Sequence, residues 1–154
     1  MRESILDDVA GIMSVRNQRL FERAEAILDG NAVGFGEPVL WHLALRRFGP
    51  AMLVLANRYT QCGSRRELGR LSDSFSPVGM TYRAWRQGEP NAAQNMAMSL
   101  FNVGDLAGYR RWMHKAARAG DVNALEDLRK FETRQPHNLA RRLRRLRPHR
   151  RDWS

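Results

Sequence analysis

Glycine and proline interrupt this chain at short, regular intervals, and the spacing limits the length of any helix or strand between them. The interruptions are Gly36-Glu-Pro38, Gly49-Pro50, Gly63-Ser64, Ser76-Pro77, Gly88-Glu-Pro90, Gly104, Gly120 and Gln135-Pro136. The segments between them are about 10 to 15 residues long, which suits short helices joined by tight turns. Proline is tolerated in the first turn of a helix, and Pro38, Pro50 and Pro77 stand where helices would begin.

Hydrophobic spacing predicts helices along the whole chain. No stretch keeps the apolar and polar alternation that is typical of a half-buried strand, so we expect an all-α fold. The first helix is long and amphipathic, with Ser4 as its N-cap and Gly30 as its stop. The predicted helices are 4–29, 38–48, 50–62, 65–73, 78–87, 90–103, 106–119, 121–132 and 137–147, with ends uncertain by about 2 to 4 residues.

Composition suits a globular chain that needs no cross-links. With 154 residues, 43% of them hydrophobic, the chain can bury about two-thirds of its unfolded surface. Cys62 is the only cysteine, which excludes an internal disulfide and a zinc site built from several cysteines. No apolar run approaches the roughly 18 residues of a transmembrane segment, and no apolar leader follows Met1. We therefore expect a cytoplasmic protein without a transmembrane segment.

The positive charge is concentrated at one end of the chain. Residues 134–154, called here the arginine-rich segment, carry eight arginines and one acidic residue, a net of +7 out of the total of +10. Residues 1–133 carry 18 basic and 15 acidic side chains, a net of +3. We therefore divide the chain into a helical body, 1–133, and a basic C-terminal helix or tail, 134–154.

The arginine-rich segment also carries an apolar stripe, since Leu139, Leu143 and Leu146 follow the spacing of one helical face. Three interpretations remain open. The stripe caps the last helical hairpin while the arginines stay solvated, or the arginines contact phosphates of RNA or DNA while Trp153 stacks on a base. In the third, the arginines contact an acidic protein or an anionic membrane. The candidate contact residues are Arg141, Arg142, Arg144, Arg145, Arg147, Arg150 and Arg151.

Parts of the helical body repeat. Trp112 and Gly120 recur, with the same separation, as Trp41 and Gly49 at an offset of 71 residues. Between them, Ala84-Trp85-Arg-Gln-Gly88 followed by Ala92 matches Ala116-Ala117-Arg-Ala-Gly120 followed by Ala124 at an offset of 32. Because these offsets share no single period, the repeat is degenerate.

The run Trp112-Met-His-Lys115-Ala116-Ala117-Arg-Ala-Gly120-Asp-Val-Asn-Ala124 resembles the Sel1-like repeats, a branch of the tetratricopeptide-like helical hairpins. The resemblance is best over 84–132 and weaker over 38–63. The chain departs from the family pattern in lacking the longer glycine-rich loop after Gly104 and in carrying Tyr109 where alanine is usual. The resemblance implies stacked antiparallel hairpins over 38–132, forming a small irregular α-solenoid that binds another protein or peptide.

Side-chain size supports hairpin packing independently of the family. Alanines near Gly120 allow two helices to approach closely, and aromatic rings supply the apolar area between neighbouring hairpins. The predicted interface residues are Trp41, Tyr59, Trp85, Tyr109, Trp112, Ala116, Ala117, Gly120 and Ala124.

Motifs for catalysis are weak. The histidines, His42, His114, His137 and His149, form no pair at metal-binding helical spacing. Cys62 is better interpreted as a small packed residue than as a nucleophile. The loop Gly34-Phe-Gly36 lacks the third glycine and the preceding strand of a phosphate-binding loop. We predict no catalytic, cofactor or metal site, and hence a non-enzymatic interaction scaffold or adaptor; the alternative is a nucleic-acid-binding protein that uses its basic tail.

Deleting residues 134–154 tests the alternative. Because phosphate contacts release counterions, binding through these arginines should weaken steeply with salt, and the deletion should abolish affinity for RNA or DNA and flatten that salt dependence. Dissociation constants measured over a salt series check this. A truncated chain that binds nucleic acid as tightly as the intact chain would exclude the tail as the contact.

Overall fold

The fold is taken from a computed structural model that describes residues 2–60 and 64–134, with side chains over 14–60 and 64–133. The described residues form eight helices and no strand, which confirms the predicted all-α class. The helices are α1 (Arg2–Leu28), α2 (Gly36–Leu45), α3 (Gly49–Arg58), α4 (Arg65–Leu68), α5 (Pro77–Arg86), α6 (Ala92–Asn102), α7 (Leu106–Arg118) and α8 (Val122–Arg134).

The helix predicted over 65–73 is shorter in the structure than expected. Helix α4 has only four residues, because Gly69 follows it with φ +70, a left-handed conformation that ends the helix. The helix predicted over 137–147 lies outside the described residues, as do the contact arginines 141–151 and Cys62.

Short polar side chains cap the first turn of several of these helices. The carboxylate of Asp105 accepts a hydrogen bond from the Gly108 N–H at 2.8 Å, and that of Asp121 accepts one from Ala124 at 3.0 Å. Each bond satisfies a backbone donor that the first turn of a helix leaves without an intrahelical partner. The helix starts are therefore fixed by residues at the interruptions themselves.

The helices pack mainly against their neighbours in the chain. Contacts join α1 to α2, α2 to α3, α3 to α5, α5 to α6, α6 to α7 and α7 to α8. The short helix α4 makes a small contact with α5. Short connections favour this pairing of consecutive elements.

Two hydrophobic clusters form the core. The first is built by α1, α2, α3 and α5 around side chains that include Leu40, Leu55 and Met80. The second is built by α6, α7 and α8 around side chains that include Met113 and Leu128. Trp85 packs against both clusters, so the end of α5 joins the two halves of the described body.

The turn before α5 is held by Ser76, which is only 6% exposed. Its hydroxyl oxygen accepts a hydrogen bond from the Gly79 N–H at 3.1 Å. Its hydroxyl proton is directed towards the carbonyl oxygens of Arg70, at 2.7 Å, and Asp73, at 2.8 Å. At Gly79 a Cβ would lie 1.9 Å from the Asp73 carbonyl oxygen, so only glycine fits this turn.

Replacing Ser76 with alanine removes both the cap of α5 and the bond that closes the turn. We expect Ser76→Ala to lower the free energy of unfolding by about 1 to 2 kcal/mol, the upper range for loss of an N-cap. Ser64→Ala is the matched control, because Ser64 is exposed and caps only the short helix α4. Urea unfolding followed by circular dichroism measures both, and equal losses would contradict the assigned role of Ser76.

Candidate interaction site

Aromatic side chains collect in three groups along the described helices. The covered cluster consists of Tyr82, Trp85 and Trp112 with Lys115. The open cluster consists of Trp41, Tyr59 and Phe75. The terminal cluster consists of Phe101, Tyr109 and Phe131. The three groups differ in how much of the rings the chain itself buries.

Lys115 covers the first group. The Trp85 and Trp112 ring centroids are 5.1 Å apart with an angle of 85° between the planes. The Lys115 ammonium lies 3.9 Å from the Trp112 centroid and 4.4 Å from the Trp85 centroid. A cation over the faces of two indole rings is an attractive electrostatic contact. The covered cluster therefore links α5 to α7 through a contact that the protein completes itself.

The terminal cluster links the last three helices. The ring of Tyr109 lies 5.2 Å from that of Phe101 and 4.7 Å from that of Phe131. Burial raises the pKa of the Tyr109 phenol, because the charged form would lose its hydration. Phe101 is 45% exposed at the edge of this cluster. Tyr109 thus acts as a packing residue in the described structure.

An ion pair joins α7 to α8 beside the terminal cluster. Arg110 Nε donates a hydrogen bond to Glu132 Oε1, and His114 Nε2 lies 3.7 Å from the same oxygen. The Glu132 side chain is 5% exposed, so this contact is shielded from water. Removing one partner from a buried pair is costly, because a charge stays buried without compensation. The cluster and this ion pair together fix the last hairpin.

The open cluster lies where α2, the end of α3 and the turn before α5 meet. The Trp41 ring centroid is 6.1 Å from that of Tyr59 and 6.2 Å from that of Phe75. Tyr59 and Phe75 are each 44% exposed. These rings pack on one another, but about half of the Tyr59 and Phe75 side chains stays exposed. They form an apolar surface that another molecule can cover.

Polar groups stand at both sides of the open cluster. The Tyr59 hydroxyl donates a hydrogen bond to Glu37, which lies one helical turn before Trp41 on α2. The hydrogen bond to this carboxylate raises the pKa of the Tyr59 phenol, and the interaction with the Trp41 side chain is the largest effect in the opposite direction. On the other side, the Arg83 guanidinium lies 5.7 Å from the centre of the Phe75 ring.

This arrangement suits binding. Tryptophan, tyrosine and arginine are the residues most enriched among those that dominate protein interfaces. Among the described residues, no three His, Cys, Asp or Glu side chains lie together as a metal site would require. No helix in the same part of the chain combines the length and apolarity needed to cross a bilayer.

The structure distributes the predicted interface residues among these groups. Trp41 and Tyr59 lie in the open cluster, Trp85 and Trp112 in the covered cluster, and Tyr109 in the terminal cluster. The small residues near the α7–α8 turn differ from one another: Ala116 and Ala124 are buried, Ala117 is half-buried and Gly120 is exposed. A Cβ at Gly120 would meet open space, so its φ of +96, and not close packing, explains the glycine there.

Sequence reasoning missed several residues of these sites. Phe75 lies in a turn outside any helical pattern, and Arg83 was one arginine among many. Glu37 and Tyr59 are far apart in sequence, so no local spacing connects them. The pair Arg110 and Glu132 was likewise missed, although each residue faces its partner from a predicted helix.

No protein-family model, curated protein or solved structure matches this chain. The likeness to the Sel1-like repeats therefore stays a prediction from the residues. Function has to be inferred from the geometry described above.

The position of Lys115 over two indole rings makes a direct prediction. Ring currents should move the Lys115 ε-methylene proton signals upfield of the usual lysine position, and Lys115→Met should lower the free energy of unfolding by about 0.5 to 1 kcal/mol. Lys130→Met is the control, because it removes the chain's other lysine, which pairs with Glu126 on an exposed face. Proton NMR and urea unfolding measure both effects. Lysine signals that all stay at the usual position would contradict the contact.

Proposed function

We propose that this protein is a non-enzymatic scaffold or adaptor that acts in the cytoplasm and binds another protein or peptide through its open cluster. The observation that carries the proposal is the contrast between two aromatic groups on the same body. Lys115 covers the rings of one group, whereas Tyr59 and Phe75 in the other are each 44% exposed. The half-exposed rings are the surface that a partner covers.

The order of helix contacts supports an irregular solenoid of helical hairpins of the Sel1-like type. Each main contact joins a helix to its neighbour in the chain, apart from the small helix α4. Apart from Val122 at its start, the exposed side chains described on α8 are polar, and its Glu126 and Lys130 form an ion pair at 2.7 Å.

Covering the open cluster contributes part of the free energy of binding. Full burial of a large apolar side chain is worth roughly 1.5 to 3 kcal/mol, so covering the exposed part of one ring contributes about 1 kcal/mol. Contacts of the rings with Glu37 and Arg83 limit the orientations that a partner can take. A few such anchors account for most of the affinity of a typical interface.

The test is capture of partners from the protein's own cell lysate, with nuclease treatment to remove partners held by RNA or DNA. We expect Phe75→Ala and Tyr59→Ala to reduce capture of the main protein partner at least about tenfold, as loss of an interface anchor does. Phe101→Ala is the matched control, since Phe101 is 45% exposed in the terminal cluster.

Circular dichroism must first show that each variant keeps the helical fold. If capture by Phe75→Ala and Tyr59→Ala equals that of the unaltered chain, the open cluster is not the docking site. If Phe101→Ala removes the partner instead, the interaction surface lies at the other end of the described body.

Nucleic-acid binding through the arginine-rich segment is the second candidate function. The net charge of +7 on residues 134–154 favours it, because affinity for nucleic acid comes largely from neutralised phosphates. The two functions use different parts of the chain. Deleting the segment and altering the open cluster therefore test them separately.

A further inference from the structure

We propose that the partner segment bound by the open cluster is acidic, with aspartate or glutamate side chains beside at least one apolar side chain. The proposal rests on the proposed function and adds the chemistry of the partner. The apolar side chain packs on the rings of Tyr59 and Phe75, and the carboxylates pair with Arg58 and Arg83.

The positive charge of the helical body is concentrated in the part of the sequence that supplies the open cluster. Residues 36–90, which contain all three rings, carry eight arginines and four acidic residues, a net of +4. Residues 91–133 carry six basic and five acidic residues, a net of +1, and residues 1–35 carry four basic and six acidic residues, a net of −2. A positive field around an apolar patch attracts negatively charged partners and orients them as they approach.

Two arginines contribute to this field at the cluster itself. The Arg83 guanidinium lies over the Phe75 ring, and the exposed Arg58 directly precedes Tyr59 at the end of α3. Among the described residues, no carboxylate lies within 4.0 Å of either guanidinium. A guanidinium presents a planar set of N–H donors that matches a carboxylate, so both arginines can receive acidic side chains.

The acidic residues next to the cluster are engaged by the chain itself. The Glu37 carboxylate accepts a hydrogen bond from the Tyr59 hydroxyl. The Asp73 carboxylate accepts one from the Phe75 N–H at 3.1 Å. Each contact places a ring of the cluster and occupies an acceptor oxygen of the carboxylate. The guanidinium N–H groups of the two arginines are the charged donors that a partner can bind.

Ring geometry favours a peptide over a single-stranded nucleic acid. The Trp41 plane is tilted by 48° from that of Tyr59 and by 55° from that of Phe75. Successive bases stack on exposed aromatic faces, whereas these rings turn towards one another and offer edges as well as faces. An aliphatic or aromatic side chain fits such a surface without needing parallel planes.

The experiment is selection of a random peptide display library on the full-length protein. We expect the sequences enriched on the unaltered chain to gain Asp and Glu together with an apolar residue, relative to the starting library. On the double variant Arg58→Glu with Arg83→Glu, the gain of Asp and Glu should fall, because the net charge of residues 36–90 drops from +4 to zero.

Synthetic versions of the enriched peptides then locate the site. We expect affinity to fall about tenfold with Arg83→Glu or Phe75→Ala and to weaken as ionic strength rises. Phe101→Ala and Arg118→Glu, which alter a ring and an exposed arginine away from the open cluster, should leave affinity unchanged. The arginine-rich segment is present in every variant, so its own attraction for acidic peptides cancels in the comparison.

The possible failures are distinguishable. Enriched peptides that depend on Phe75 but show no acidic bias overturn the proposed charge and leave the docking site standing. Acidic peptides that bind independently of both Phe75 and Arg83, or no enrichment at all, overturn the proposal at this site. A single-stranded oligonucleotide that binds more tightly than the peptides and depends on the same two residues would assign the surface to nucleic acid.

Discussion

The packing of Trp85 between the two hydrophobic clusters is the contact on which the rest of the described structure depends. Its ring meets side chains of both clusters and is held against Trp112 by the Lys115 ammonium. Val78 and Tyr82 of α5 also pack against the second cluster, and Ala92 of α6 belongs to the first, so the two halves meet along α5 and the start of α6. The rigidity of that junction determines how the surfaces of α2, α3 and α5 stand relative to the last hairpin.

The covered and open clusters show two uses of the same residue types. Trp112 has Lys115 three residues later, and its ring is satisfied within the chain. Trp41 occupies the matching position of the earlier hairpin and has the small, buried Ala44 there instead. Its neighbours Tyr59 and Phe75 are each 44% exposed, and Phe101 and Phe35 are exposed as well, at 45% and 83%. The open cluster is distinguished by the packing of its rings on one another and by the charged groups at its sides, and this combination is the basis for proposing a partner there.

The open cluster also depends on the turn before α5, because the bonds that form this turn also position Phe75. Ser76 closes the segment that begins at Arg70, and the close approach at Gly79 allows α5 to start immediately afterwards. Phe75 precedes this cap directly, so the bonds that begin α5 also hold the ring against Trp41. A site assembled in this way has little freedom to rearrange, which lowers the entropy lost when a partner binds.

The sequence by itself determined the all-α class and the approximate helix boundaries, because proline, glycine and capping side chains such as Asp105 and Ser76 act within one turn of the chain. It also identified most of the large rings, as residues that needed burial. Only the tertiary structure decided which rings are covered. Whether a ring is covered depends on residues brought together from separate elements, such as Trp41 with Phe75 and Arg110 with Glu132. Helical periodicity specifies which face of a helix is apolar, but it does not specify which other element packs against that face.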